Sequence, residues 1–133
     1  MAIARILVVD DERLFRQMVR DLLEIADFEV HEAVDGADGL VQAAAVGPDL
    51  ILLDLIMPDL DGYTVCRSLK ADPATRAIPV IFLTVSADPH LNRQAYAAGA
   101  EACLTKPFRR EALLAAVNAT LQGVPHRETT TGG

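Results

Sequence analysis

Leu50-Ile51-Leu52-Leu53, closed by Asp54 and bracketed by Pro48-Asp49 and Met57-Pro58, is the stretch that decides the fold. Four apolar residues in unbroken succession leave no polar face. A strand needs that pattern only when helices cover both sides of a parallel sheet. Two further runs of the same kind, Ile6-Leu7-Val8-Val9 and Val80-Ile81-Phe82-Leu83, lie before and after it. Glu29-Val30-His31-Glu32-Ala33 and Ala102-Cys103-Leu104-Thr105 are weaker strands in the same rhythm. The first of these alternates, as an edge strand does.

Helical patterns fill the intervals. Leu14, Met18, Leu22 and Ile25 recur at i, i+4, i+8 and i+11, one face of a helix, and Leu113, Val117 and Leu121 repeat the spacing near the C-terminus. The Ala-rich stretch 37–46 stops at Gly47-Pro48, and the stretch around 89–98 stops at Gly99. Residues 62–71 make a further helix that ends before Asp72-Pro73. Asp35-Gly36 precedes a helical pattern, so it reads as a loop and helix start rather than a hairpin. A strand followed by a helix, five times over, predicts an α/β open parallel sheet with right-handed crossovers. From Gly123 onward, through Thr129-Thr130-Thr131-Gly132-Gly133, no apolar period remains. Residues 123–133 read as a disordered tail, a linker or a cloning remnant.

Composition narrows the function classes. The chain has 133 residues, 51% hydrophobic and 23% charged, which suits one domain with its own core. Twelve basic against nineteen acidic residues leave a net charge of −7. Such a surface repels phosphate backbones and anionic lipid, so direct nucleic-acid or membrane contact is not expected. No apolar run approaches the ~20 residues that span a bilayer, and Met1-Ala2-Ile3-Ala4-Arg5 carries no cleavable signal pattern. Two cysteines, Cys66 and Cys103, form neither a disulfide framework nor a metal-ligand spacing. A reducing cytoplasm is the expected location.

Ligands of open parallel sheets bind beyond the carboxyl ends of the strands. There the sequence places Asp10-Asp11-Glu12 after the first run, Asp54 after the third, Thr84 after the fourth and Lys106-Pro107 after the fifth. Any one of these alone reads as a solvated loop residue. Four polar groups at four strand ends form a coherent set. Converging carboxylates repel one another and call for a hard cation with oxygen ligands, for which Mg²⁺ is suited. With Mg²⁺ and Lys106 neutralising charge, Asp54 can attack a phosphoryl group in line, and the Thr84 hydroxyl can bond a phosphoryl oxygen.

With these residues in place, the chain closely resembles a bacterial two-component response-regulator receiver domain of the chemotaxis-regulator kind, over roughly residues 4–122. The matching pieces are Ile6 through Glu12, Pro48 through Pro58 followed by Asp61-Gly62, Pro79 through Thr84, Gly99-Ala100, and Leu104 through Phe108. The resemblance implies a flavodoxin-like (βα)5 three-layer sandwich with strand order 2-1-3-4-5 and a domain spanning 1–122. It implies Asp54 as phospho-acceptor, Asp10 and Asp11 as the acidic pair for Mg²⁺, the Ile56 carbonyl as a further metal ligand, and Thr84 and Lys106 as phosphoryl contacts. A cis Lys106-Pro107 bond is also implied, and proline makes it accessible. The partners implied are a sensor histidine kinase or phosphotransfer protein upstream and a protein or output domain downstream. A homodimer through the face of the fourth helix, fifth strand and fifth helix is one such arrangement. The activity implied is a switch that catalyses its own phosphorylation and slow dephosphorylation without turning over a separate substrate.

Rival readings are weaker. Asp59-Leu60-Asp61-Gly62-Tyr63-Thr64 approaches the Asp-x-Asp-Gly-Thr motif of haloacid-dehalogenase phosphatases. Met57-Pro58, however, parts Asp59 from the strand, Tyr63 replaces threonine, and the chain is short for that core. A dinucleotide site wants glycines where Asp10-Asp11-Glu12 stands. A degenerate receiver serving only as an interaction module remains an alternative. His31, His90 and His126 have no partner at helical spacing, Cys66 and Met57 read as packing, and Arg109-Arg110 as a solvated pair opening the last helix. Two departures from the family stand out. Cys103 replaces an aromatic three residues before Lys106, and Val85 replaces alanine or glycine after Thr84. The signal is therefore expected to leave through the backbone of Thr84 to Ser86, and β-branched Val85 to slow hydrolysis relative to a Val85→Ala variant.

Overall fold

The three continuous apolar runs, the alternating segment 29–33 and the shorter segment 102–105 become five parallel strands. The computed structural model describes residues 3–85 and 88–123. Strands β1 (Arg5–Val9), β2 (Glu29–Ala33), β3 (Leu50–Asp54), β4 (Val80–Thr84) and β5 (Ala102–Thr105) pair in the order β2-β1-β3-β4-β5. β2 is an edge, as its alternation predicts. Helices α1 (Arg13–Ile25), α2 (Gly36–Val46), α3 (Gly62–Ala71), α4 (Pro89–Ala97) and α5 (Arg110–Leu121) connect and follow them. Expectations for Ser86, His126 and residues 124–133 lie outside the described residues.

Alternate strand residues point to opposite faces, so each strand feeds two cores. Leu7, Val9, Ile51, Leu53, Val80 and Phe82 pack with Ala43 of α2, Val65, Cys66 and Leu69 of α3, and Ala95 of α4. Ile6, Val8, Leu50, Leu52, Ile81 and Leu83 pack with Val19 and Leu23 of α1 and with Leu113, Ala116 and Val117 of α5. Three layers result. β3 and β4 are buried along their whole length, Asp54 and Thr84 included, because they lie at the centre of the sandwich. Cys66 and Met57 are packing residues, as read from the sequence. Burial pushes the Cys66 thiol up to about 11, so it is inert at neutral pH.

Helix starts follow local chemistry. The side chains of Asp35, Asp61 and Asp88 accept from the backbone N–H of Asp38, Thr64 and His90, which caps α2, α3 and α4. Gly47, in the left-handed region at φ 64°, ends α2 where the sequence placed its stop. Arg109 and Arg110 are exposed at the start of α5.

One helix turns another side inward. Leu14, Met18, Leu22 and Ile25 do share a face of α1, but Leu14 and Ile25 are 83% and 76% exposed. The buried row is Arg16, Val19 and Leu23. Arg16 makes that possible. Its Nε donates to Glu32 of β2 at 2.8 Å and its Nη1 to the Asp10 carbonyl at 2.7 Å. A guanidinium satisfied in this way enters the core side with its stem packed and its charge paired.

Candidate functional site

The strand ends converge as parallel strands of staggered length require. Asp10 follows β1, Asp54 and Thr84 are the last residues of β3 and β4, and Lys106 follows β5. The Lys106 backbone N–H donates to the Thr84 carbonyl at 2.6 Å, which ties the last two ends together. The Lys106-Pro107 bond is cis.

Asp10, Asp11 and Asp54 each bring a carboxylate oxygen within 4.8 Å of the others. Among the described residues no other group of three metal-ligating side chains comes together. Asp10 and Asp54 are buried, whereas Asp11 is exposed at the rim. The Asp10 Oδ1 accepts the Glu12 N–H at 2.8 Å. The Lys106 Nζ stands 3.0 Å from Asp10 Oδ2, 3.4 Å from Asp54 Oδ1 and 4.0 Å from Glu12 Oε1. An open depression of about 260 Å³ lies over the cluster, lined by Asp11, Glu12, Asp54, Ile56, Thr84, Val85 and Lys106 among others. Every sequence-predicted site residue is therefore at this one edge, with Ile56 and Val85 at its mouth.

The electrostatics favour a cation. Burial and, next, repulsion from Asp10 push the Asp54 carboxyl up to about 6, against the attraction of Lys106. Three carboxylate oxygens in one depression offer only hard oxygen donors, the chemistry of a divalent ion such as Mg²⁺ rather than of a soft metal. The raised carboxyl also fixes a sign for stability. Between pH 4 and 6 the folded carboxyl keeps a proton that the unfolded chain releases, so stability falls as pH rises through that window. The full difference is about 3 kcal/mol at most. Urea midpoints in chelator at pH 4.5 and 7 should show this fall, and Asp54→Asn should flatten it. An unchanged slope in the variant would assign the pH dependence elsewhere.

Several contributors escaped the sequence. Arg16 braces the Asp10 backbone, and Phe15 puts its ring centroid 4.0 Å from the Lys106 Nζ. Their signal is faint: they follow the acidic cluster by one helical turn. Asp59 does not join the site. Its two oxygens accept from the Gly36 and Ala37 N–H groups at 3.0 and 2.8 Å, at the start of α2. These bonds hold its carboxyl below the usual range. Asp61 caps α3. The phosphatase-like motif is thus spent on two helix starts.

Comparison with known proteins agrees with the fold. A family model described as "Response regulator receiver domain" matches residues 6–118. The chain is 43% identical over 118 residues to the DNA-binding dual master transcriptional regulator RpaA of Synechocystis, covering 89% of this chain and 49% of RpaA. It is 38% identical over 120 residues to Protein PilH of Pseudomonas aeruginosa, covering 90% of this chain and 99% of PilH. The chain thus spans about half the length of the first relative and nearly all of the second. The crystal structure of the chemotaxis response regulator CheY4 of Vibrio cholerae superposes with a TM-score of 0.84 at 32% identity, over 88% of this chain and 98% of that one.

Proposed function

This chain belongs to the response regulator receiver domain family, and on that premise we propose that it is a phosphorylation-controlled switch whose phospho-acceptor is Asp54. The observation that carries the reading is the Lys106 ammonium, held between Asp10 and Asp54 at the mouth that Thr84 and Val85 share. Asp54, as a carboxylate, needs no base. One of its oxygens forms a bond to phosphorus while the P–N bond of a donor phosphohistidine breaks. The imidazole keeps the electron pair and takes a proton from solvent. Negative charge leaves the carboxylate for the phosphoryl oxygens, and Lys106 follows it with its N–H donors. Thr84, at the adjoining strand end, offers a hydroxyl to another phosphoryl oxygen. Reversal of the switch is hydrolysis, in which water attacks phosphorus, the Asp54 oxygen leaves and inorganic phosphate departs.

Asp11 and Asp54 directly, Asp10 mainly through water, and the Ile56 carbonyl would hold Mg²⁺ there. Bound Mg²⁺ supplies positive charge to the phosphoryl oxygens and to the three acids. Mg²⁺ titration followed by NMR shifts should show weak, saturable binding to the wild type. Asp11→Asn should weaken it by tenfold or so, the loss of one charged ligand. Equal affinity in the two proteins would overturn the ligand assignment.

The rim is suited to a protein donor. Ile56 and Val85 are 68% and 67% exposed beside the depression, and Leu14, in the first turn of α1 just after the acidic cluster, is 83% exposed. A sensor kinase or phosphotransfer protein bringing its phosphohistidine to Asp54 covers this rim as it docks. Downstream, the changed surface acts on a protein or an output domain. Cys66 and Cys103 form no disulfide with each other, which suits work in a reducing cytoplasm; among the described residues no helix is long and apolar enough to cross a membrane.

A further inference from the structure

We infer that Phe15 is a positioning residue for the phosphoryl chemistry, its ring face holding the Lys106 ammonium in line with Asp54. The inference rests on the reading of Asp54 as phosphoryl acceptor and deepens it. Lys106 ends a long, flexible side chain, and a lysine ammonium is a point charge with three donors and no preferred plane. Three carboxylates compete for it, at 3.0 Å (Asp10), 3.4 Å (Asp54) and 4.0 Å (Glu12). Coulomb attraction alone does not choose among them, because rotation about the side chain trades one for another. Glu12 is exposed, and an ammonium drawn to it leaves the reacting centre.

The fourth neighbour is different in kind. The Phe15 ring centroid lies 4.0 Å from Nζ, well within the range in which a ring quadrupole attracts a cation. An aromatic face attracts the charge without accepting a full ion pair, so it confines Lys106 and leaves its N–H donors for oxygen. The ring is itself fixed. Phe108, two residues after Lys106, meets Phe15 edge to face, with centroids 5.8 Å apart and planes at 80°. Both phenylalanines pack on the α1–α5 core. The ammonium thus has both carboxylates and a braced ring in contact with it, and its side chain is only 10% exposed. When charge moves onto the phosphoryl group, Lys106 needs a short shift rather than a search.

Phe15→Leu keeps apolar packing and removes the ring, whereas Phe15→Tyr keeps the ring. Two readouts separate position from stability. In the phosphate-free protein, the Lys106 Hε resonances should be shifted upfield by the ring current in wild type and Phe15→Tyr, and return to ordinary lysine values in Phe15→Leu. With saturating Mg²⁺ and acetyl phosphate, the maximal rate of phosphate incorporation should fall about fivefold in Phe15→Leu and hold in Phe15→Tyr. The acetyl phosphate concentration for half-maximal rate should stay unchanged. A Phe15→Leu protein as fast as wild type overturns the inference, and so does a Phe15→Tyr protein as slow as Phe15→Leu, which would leave packing as the role. A wild type that takes up no phosphate while its Hε shift persists would overturn the Asp54 reading instead, and the positioning role with it.

Discussion

Asp54→Asn should take up no phosphate from acetyl phosphate and Mg²⁺, where the wild type takes up one, labile to hydroxylamine as acyl phosphates are. The side chain sits at the end of a strand buried on both faces, whereas the neighbouring Asp10 carboxylate is already engaged by Lys106 and the Glu12 N–H. Asparagine is isosteric and keeps the fold, but an amide oxygen is a poor nucleophile and carries no charge for Lys106. Asp59→Asn is the matching control. Its carboxylate is engaged by two backbone N–H groups of α2, away from the depression, so uptake should stay near wild type. Intact-mass spectrometry before and after hydroxylamine reads both. Phosphate on Asp54→Asn with none on Asp59→Asn would revive the phosphatase-like motif. Phosphate on neither variant nor wild type would leave an interaction module without phosphoryl chemistry.

The same pair of aspartates shows why part of the site could be read from sequence. A parallel sheet covered on both faces writes its strands as continuous apolar runs, so the first polar residue after a run marks a strand end. Asp10, Asp54 and Thr84 were legible on that ground, and Lys106 as the residue directly after the weaker fifth strand. Asp59 shares their chemistry, but it lies beyond the strand and Met57-Pro58, and its partners belong to a helix start earlier in the chain. Periodicity carries no trace of such a pairing. It fails again in α1. Leu14, Met18, Leu22 and Ile25 make a convincing apolar row, yet of these Leu22 alone packs on the core, and the buried row contains Arg16, which counts as polar until Glu32 and the Asp10 carbonyl are seen to satisfy it. The contact of Phe15 with Lys106 joins the first helix to the last strand end, and only the assembled sheet brings them together.

Gly62→Ala should destabilise the protein by about 3 kcal/mol or more, and slow phosphorylation of whatever remains folded. The argument is space rather than backbone conformation. A Cβ on Gly62 would lie 2.6 Å from the Asp54 carbonyl oxygen, 2.6 Å from Cε1 of Phe82 and 2.9 Å from the Leu55 Cα. Two of these are backbone atoms at the end of the central strand, and the Phe82 ring is fully packed beneath α3. The Gly62 N–H also donates to the Leu55 carbonyl at 2.7 Å, so helix and strand end cannot part without losing that bond. Relief therefore comes by moving the backbone of Asp54 itself, which displaces the carboxylate from Lys106 and Asp10. Gly47→Ala provides the scale. Gly47 sits at φ 64° with nothing within 4 Å of its Cβ position, so alanine there meets only the left-handed penalty, about 1 kcal/mol. Urea midpoints of the two variants, with phosphate uptake per folded molecule, separate crowding from strain. Equal losses for Gly62→Ala and Gly47→Ala, with uptake unimpaired, would mean that α3 yields easily and that the strand end is not held by close approach.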